Sequence, residues 1–180
     1  EVYYQSLYDA VTEVTDSYYS ALNYSQQNFL FPDSLNNEGR GRNYGMELTV
    51  EKFLTRGFYF LGTVSVFDSR YRGSNGIWKP TAFDSDYVLN VLGGYELEIL
   101  RSAKGASRKW LVLDARISAA GGQRYTQVDL EKSRESGRTI YVESESYSKQ
   151  FSDYFRADLK AGIRIDGKKA SQEFSVDIQN

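Results

Sequence analysis

The side chains that most often perform catalysis or bind metals are missing from this sequence. It contains no histidine and no cysteine. This removes the commonest general base, the commonest metal ligand and the usual Ser-His and Cys-His nucleophile pairs. Carboxylates, lysine, arginine and tyrosine would have to carry any chemistry. We therefore predict that the chain is not an enzyme and holds no cofactor.

Three short segments have compositions that suggest ligand binding, but their spacing does not fit. Residues 39–45 are rich in glycine and arginine, yet they lead into a strand and lack the spacing of a phosphate-binding loop. The polar residues at 33–38 do not match a calcium-binding EF-hand loop. Asp84 and Asp86 offer only a weakly supported metal pair beside a strand. We predict no metal site.

The segment 122–152 is the most promising place for ligand contacts. Loops of this length without structure of their own are uncommon unless they are functional or disordered. A short helix is predicted within it, at about 128–136. Our candidates for ligand contact in the outer loops are Trp78, Arg124, Tyr125, Arg134 and Tyr141. The alternative is that most charges of this segment belong to a solvated cap.

The elements that would position these side chains are strands joined by links of alternating length. Strand-like runs lie at about 1–9, 43–54, 58–70, 86–99, 110–121, 153–165 and 171–179. The long links are 10–42, 71–85 and 122–152, and the short ones are 55–57, 100–109 and 166–170. Every second link of an antiparallel meander lies at the same end, so the long loops share one end. Outer-membrane β-barrels have this arrangement.

Each run alternates apolar and polar residues with a period of two, which is the strand period. Several runs exceed the usual strand of about 5–6 residues and match the roughly 9–11 that cross a bilayer at a tilt. In the run 153–165, Leu159 and Ile163 alternate with the charged Asp158, Lys160 and Arg164. A water-filled or plug-filled lumen tolerates such a face. The alternative is a sheet with one wet face and one face on a core.

Aromatic residues collect near the ends of the runs. Those toward the long loops are Tyr44, Tyr71, Tyr87, Tyr154 and Phe155, and those toward the short turns are Phe53, Phe58, Tyr59 and Trp110. This placement predicts two aromatic belts at the bilayer interfaces.

Five segments, in order along the chain, carry a family resemblance. They are 42–53 (RNYGMELTVEKF) with 56–60 (RGFYF), 67–83, 121–130, 153–159 and 174–180. In this order they resemble the late barrel strands of TonB-dependent outer-membrane receptors, in the branch with an N-terminal carboxypeptidase-like regulatory domain. The likeness covers most of 1–180. It departs from the family pattern at Gln127 and Ser152, where proline is expected.

The resemblance implies a transmembrane β-barrel of about 22 strands, of which 1–180 would be a C-terminal portion. The N-terminal plug domain and the final strands would lie outside this chain. Such receptors import a scarce nutrient, for example a siderophore, a cobalamin, a glycan or a peptide. They use energy from a TonB-type inner-membrane partner that engages the N-terminal region. The implied location is the outer membrane, with lipid around the wall.

Two other readings remain open at this point. One is a small complete eight-stranded outer-membrane barrel, an adhesin or a lipid-modifying enzyme, with one more strand within 17–31. The other is a soluble barrel of lipocalin type, which requires an apolar lumen. Nucleic acid is not an expected partner, because 22 basic residues are balanced by 24 acidic ones.

Overall fold

Antiparallel strands make up most of the computed structural model, which describes residues 1–23, 34–102 and 107–180. Seven long strands form one sheet in chain order: β1 (Val2–Glu13), β2 (Leu35–Thr55), β3 (Phe58–Arg72), β5 (Tyr87–Arg101), β6 (Ser107–Ala120), β9 (Tyr154–Gly167) and β10 (Ser171–Gln179). The short β4 (Trp78–Pro80) pairs with β3, and β7 (Arg124–Tyr125) pairs with β8 (Lys149–Gln150). The predicted all-β antiparallel meander is confirmed.

The register between β6 and β9 is unbroken. It runs from Ser107↔Gly167 to Ala120↔Tyr154. Such a register keeps the two side-chain sets on opposite faces along the whole pair, because a slip by one residue would exchange the faces.

The prediction that β2 begins near residue 43 was wrong. The strand begins at Leu35, and its first part pairs with an extended β1 at Thr12↔Asn36 and Ala10↔Gly39. The polar and glycine-rich composition of 36–41 is typical of a turn, but pairing with β1 overrides this local preference. The first long link is therefore 14–34. Its residues 24–33, with most of the additional strand considered within 17–31, lie outside the described residues.

The link between β2 and β3 is a two-residue turn. Arg56 and Gly57 both have positive φ, at 54° and 79°. This is the type I′ pattern, whose twist matches that of the flanking strands. A non-glycine residue with positive φ is unfavourable, and glycine avoids this cost at position 57.

The chain divides into two compact units that sort the links by length. Unit 1 comprises Glu1–Glu47, Val66–Tyr87 and Gly121–Asp153, and unit 2 comprises Leu48–Ser65, Val88–Ala120 and Tyr154–Asn180. The three long links belong to unit 1. The three short links belong to unit 2. The predicted sorting of long and short connections is therefore present in the fold.

Unit 1 has a small core of its own. Tyr71, Ala82 and Tyr147 are buried together, and Leu22 packs against them. The predicted helix is present as α1 (Leu130–Ser136), which Asp129 caps through a hydrogen bond from the Lys132 backbone N–H and which ends at Gly137. Tyr71 was wrongly assigned to an aromatic belt, because it is 1 % exposed. No helix in the described ranges is long and apolar enough to cross a membrane.

Candidate functional site

One face of unit 2 is apolar and open. The exposed fractions are 58 % for Leu159, 69 % for Val176 and 55 % for Leu48. Val91, Leu97, Leu113, Ile117, Ile163, Phe174 and Ile178 are also exposed. A sheet that packed on a core through this face would bury these side chains. A contiguous apolar surface of this kind marks contact with a membrane or with another protein.

The opposite face of unit 2 is charged, and many of its charges are paired. Arg164 of β9 donates from both Nη atoms to the two carboxylate oxygens of Glu96 of β5, at 2.8 Å each. β6 lies between these strands, and the Arg164 guanidinium is 5.6 Å from the centre of the Trp110 ring of β6. A bidentate geometry is among the strongest forms of ion pair.

A second group on this face joins β3, β6, β9 and β10. The Tyr59 hydroxyl donates to Asp114 at 2.8 Å. Lys160 lies 3.8 Å from Asp114 and 2.6 Å from Glu173. Gly94 leaves the necessary space, because a Cβ there would collide with the Asp114 carboxylate and the Tyr59 ring.

The third group is centred on Asp158. It accepts hydrogen bonds from Arg116 and from Arg156, each through Nε at 2.9 Å. Asp158 and Lys160 line an open depression of about 280 Å³ on unit 2. Four of the charged side chains around this depression, Asp114, Arg116, Asp158 and Lys160, already have partners, so we assign it to polar contact or water rather than to chemistry.

Two residues of the predicted short-turn belt lie on this charged face. Tyr59 bonds Asp114, and Trp110 is beneath Arg164. These two rings therefore do not lie on the apolar face, where side chains of an aromatic belt would lie. Proximity to a strand end did not reveal which face each ring occupies, whereas the alternation of side chains does.

Among the sequence candidates in unit 1, Arg124 has a structural role. Its Nε donates to the Asp84 backbone oxygen at 2.7 Å and lies 3.2 Å from the Asp84 carboxylate, and its Nη2 is 2.7 Å from Asp86. Asp84 is 1 % exposed. Burial raises the pKa of the Asp84 carboxyl, and Arg124 partly opposes this. The two aspartates considered as a metal pair thus bind a guanidinium group.

The other candidates in the segment 122–152 lie in different settings. Tyr125 stacks on Phe151, with 4.4 Å between the ring centres. Tyr141 forms an isolated bridge with Val128 and is half-buried, whereas Arg134 is exposed on α1. Tyr125 and Arg124 are neighbours in β7, but these contacts do not gather the predicted residues into a pocket.

Trp78 contacts two arginines. The Arg42 guanidinium is 4.6 Å from the centre of its indole ring, and that of Arg72 is 5.5 Å away. Both distances are within cation–π range. Trp78 pairs with Arg72 across β3 and β4, so neighbouring strands position this group.

Lys79 is a buried structural residue that the sequence reasoning missed. It is 7 % exposed. Its Nζ donates to the backbone oxygens of Glu143 at 2.8 Å and Ser144 at 3.4 Å, and it lies 5.5 Å from the centre of the Tyr18 ring. Burial lowers the pKa of Lys79 and raises that of Tyr18 to about 12. Lys79 thus ties together three segments of unit 1 that are distant in sequence.

Groups of three or more carboxylates placed to hold a metal ion do not occur in the described part of the chain. No protein-family model matches the sequence. Searches of curated proteins and of solved structures likewise found no match.

Proposed function

We propose that this chain forms part of the wall and the outer loops of a TonB-dependent outer-membrane receptor that imports a nutrient. The observation that carries the proposal is the contrast between the two faces of unit 2. Leu159 and Val176 are more than half exposed, while Asp158 and Lys160 on the alternate positions are paired. Hydrocarbon around one face and a polar interior behind the other account for both.

The sorting of the links supports the same proposal. Long links gather in unit 1, which has its own small core and buried polar contacts. Short turns gather in unit 2. Outer-membrane barrels have long loops on the outside and tight turns on the periplasmic side. Under this proposal unit 1 faces the medium, where a ligand would arrive.

The charged face fits a wall that meets a plug domain or water. Its ion pairs span several strands of the sheet. The chain would supply no chemistry of its own. The ordered sequence resemblance favours the TonB-dependent class among outer-membrane importers. Under this proposal, the imported substrate is a siderophore, a cobalamin, a glycan or a peptide.

The first test of the proposal is the location of the protein in the cell. We expect the full protein to fractionate with the outer membrane and to shift in mobility on a gel after boiling, as folded barrels do. Its reading frame should encode a plug domain upstream of this chain. Recovery from the soluble fraction without detergent, as a stable monomer, would contradict the proposal.

A second test addresses transport. A strain that lacks the gene should lose uptake of one labelled nutrient, and uptake should return with the intact gene. Loss of uptake should also follow removal of the TonB-type partner. Uptake that is independent of that partner would contradict active import, even if the protein is in the outer membrane.

A further inference from the structure

Unit 1 carries four arginines on one face of neighbouring strands. They are Arg40 and Arg42 of β2 and Arg70 and Arg72 of β3. Residues two apart in a strand share a face, so each pair points the same way. Contact of both Arg42 and Arg72 with Trp78 places the two pairs on a common side.

This side is the open side of unit 1. Tyr71 and Lys79, at the alternate positions of β3 and β4, are buried. Lys79 reaches Glu143 and Tyr18, so the loops cover that opposite side. We name the open side, formed by Arg40, Arg42, Arg70, Arg72 and Trp78, the arginine face.

The arginine face continues an apolar and aromatic strip. The pairs of β1 and β2 on this side are Val2↔Met46, then Tyr4↔Tyr44, then Ser6↔Arg42. Val2, Met46 and Tyr4 are all more than half exposed. Alternate residues of a strand are separated by about 7 Å. Apolar, aromatic and basic side chains therefore follow one another within about 14 Å, as across the edge of a bilayer.

The charges of the arginine face are only partly compensated. Asp68 pairs with Arg70 at 2.9 Å. Within the described ranges, Arg40, Arg42 and Arg72 instead contact the rings of Tyr8 and Trp78. The Nε of Arg42 is buried without a hydrogen-bond partner. Guanidinium groups that contact rings rather than carboxylates keep Nη donors that are suited to bind phosphate oxygens.

We propose that the arginine face binds the phosphate groups of an anionic membrane lipid headgroup at the outer rim of the bilayer. The inference rests on the proposed membrane location. It adds to it a specific lipid contact. The positive charge of the arginines favours an anionic ligand. The adjacent apolar strip favours a lipid over free phosphate, because acyl chains can pack against it. Arg42 and Arg72 are the main contacts, and Trp78 positions both.

The experiment measures lipid retention by native mass spectrometry. The full protein, purified in a neutral detergent, is titrated with lipid A, which bears phosphates and acyl chains. The variant Arg42→Gln/Arg72→Gln should retain lipid A about thirtyfold less, since each of the two basic groups near a lipid surface contributes about 1 kcal/mol. The matched control is Lys132→Gln/Arg138→Gln, which removes two exposed basic side chains of the same unit and should retain lipid A like the wild type.

Several results would overturn the inference. These are equal retention in the Arg42/Arg72 variant, an equal loss in the control, or full competition by inorganic phosphate at the same phosphate concentration. If the Gln variant does not fold, Arg42→Lys/Arg72→Lys keeps the charge but loses the planar fork, and its retention should be intermediate. Unchanged retention there counts against the site.

The gel mobility shift on boiling separates this inference from the proposed function. A protein that shows the shift but binds lipid A equally in all variants contradicts the arginine face alone. A wild-type protein that never enters a membrane contradicts the proposed function.

Discussion

Arg164 and Glu96 form a bidentate ion pair across an intervening strand. Both guanidinium Nη atoms lie 2.8 Å from carboxylate oxygens, although β6 separates β9 from β5. The pair therefore fixes three neighbouring strands of unit 2 at one level. On this face, opposite charges from different strands therefore satisfy one another directly.

Loss of Arg164 should destabilise unit 2. In Arg164→Leu the Glu96 carboxylate, which is 15 % exposed as a side chain, loses both donors, so we expect a loss of about 1–2 kcal/mol. The measurement is the temperature at which the folded band disappears on a gel. The exchange Glu96→Arg/Arg164→Glu should recover part of the loss. A double variant no more stable than Arg164→Leu would contradict an effect of pairing.

The two faces should respond differently to a new charge. Leu159→Arg places a cation on the apolar face and should cost about 2–4 kcal/mol if that residue lies near the bilayer midplane. Asn90→Arg, on the charged face of β5, should be milder. The fraction of protein with the folded gel mobility reports both. Asp158 is a poor control site, because it accepts hydrogen bonds from both Arg116 and Arg156. Equal damage from both variants would contradict the face assignment.

Lys79 should hold the loop segment at Glu143–Glu145 in place. Lys79→Met keeps much of the side-chain volume but removes the donors to the Glu143 and Ser144 carbonyl groups. We expect faster cleavage of this segment by a glutamate-specific protease, with little change in membrane insertion. Lys149→Met is the control, since Lys149 is half-exposed and 3.8 Å from Glu145. Equal cleavage rates in both variants would show that Lys79 does not anchor the segment.

The buried Asp84 should make unit 1 sensitive to pH. Its pKa is raised in the folded state, so the folded state binds this proton more tightly than the unfolded state does. The associated stability is present below the unfolded pKa and is lost as pH rises through the folded pKa. Asp84→Asn removes this dependence. The melting temperature of the wild type minus that of the variant should fall as the pH rises from the unfolded to the folded pKa of Asp84. A rise in this difference would contradict a raised pKa in the folded state.

The strands were predictable because their alternation is a property of the sequence itself. Leu159 and Lys160 occupy opposite faces of their strand whatever surrounds them. The two-residue period of apolar side chains and the lengths of the links were therefore sufficient to infer the meander. The start of β2 was not predictable. Asn36 and Gly39 have the composition of a turn, and only pairing with β1 makes them a strand. Local preference is a weak guide where a partner strand supplies the hydrogen bonds.

The candidate site was predicted less well, because its contacts join residues distant in sequence. Arg124 was expected to meet a ligand, but Asp84 and Asp86, some forty positions earlier, occupy it. Trp78 was named without its two arginine neighbours. If the alternation of side chains had been followed to the ends of β2 and β3, it would have placed Arg42 on the same face as Arg40, and Arg72 on the same face as Arg70. It would not have revealed that both reach one indole ring.

The most direct test asks what surrounds the apolar face. The chain has no cysteine of its own, so single cysteines at Leu159 and Val176, with Lys160 and Asp177 as alternate-face controls, can carry spin labels in protein reconstituted in lipid vesicles. We predict that labels at Leu159 and Val176 are relaxed by oxygen and shielded from a water-soluble nickel complex, with the reverse at Lys160 and Asp177. Labels at Leu159 and Val176 that the nickel complex reaches freely, or that are immobilised in a dry core, would contradict a wall in contact with lipid.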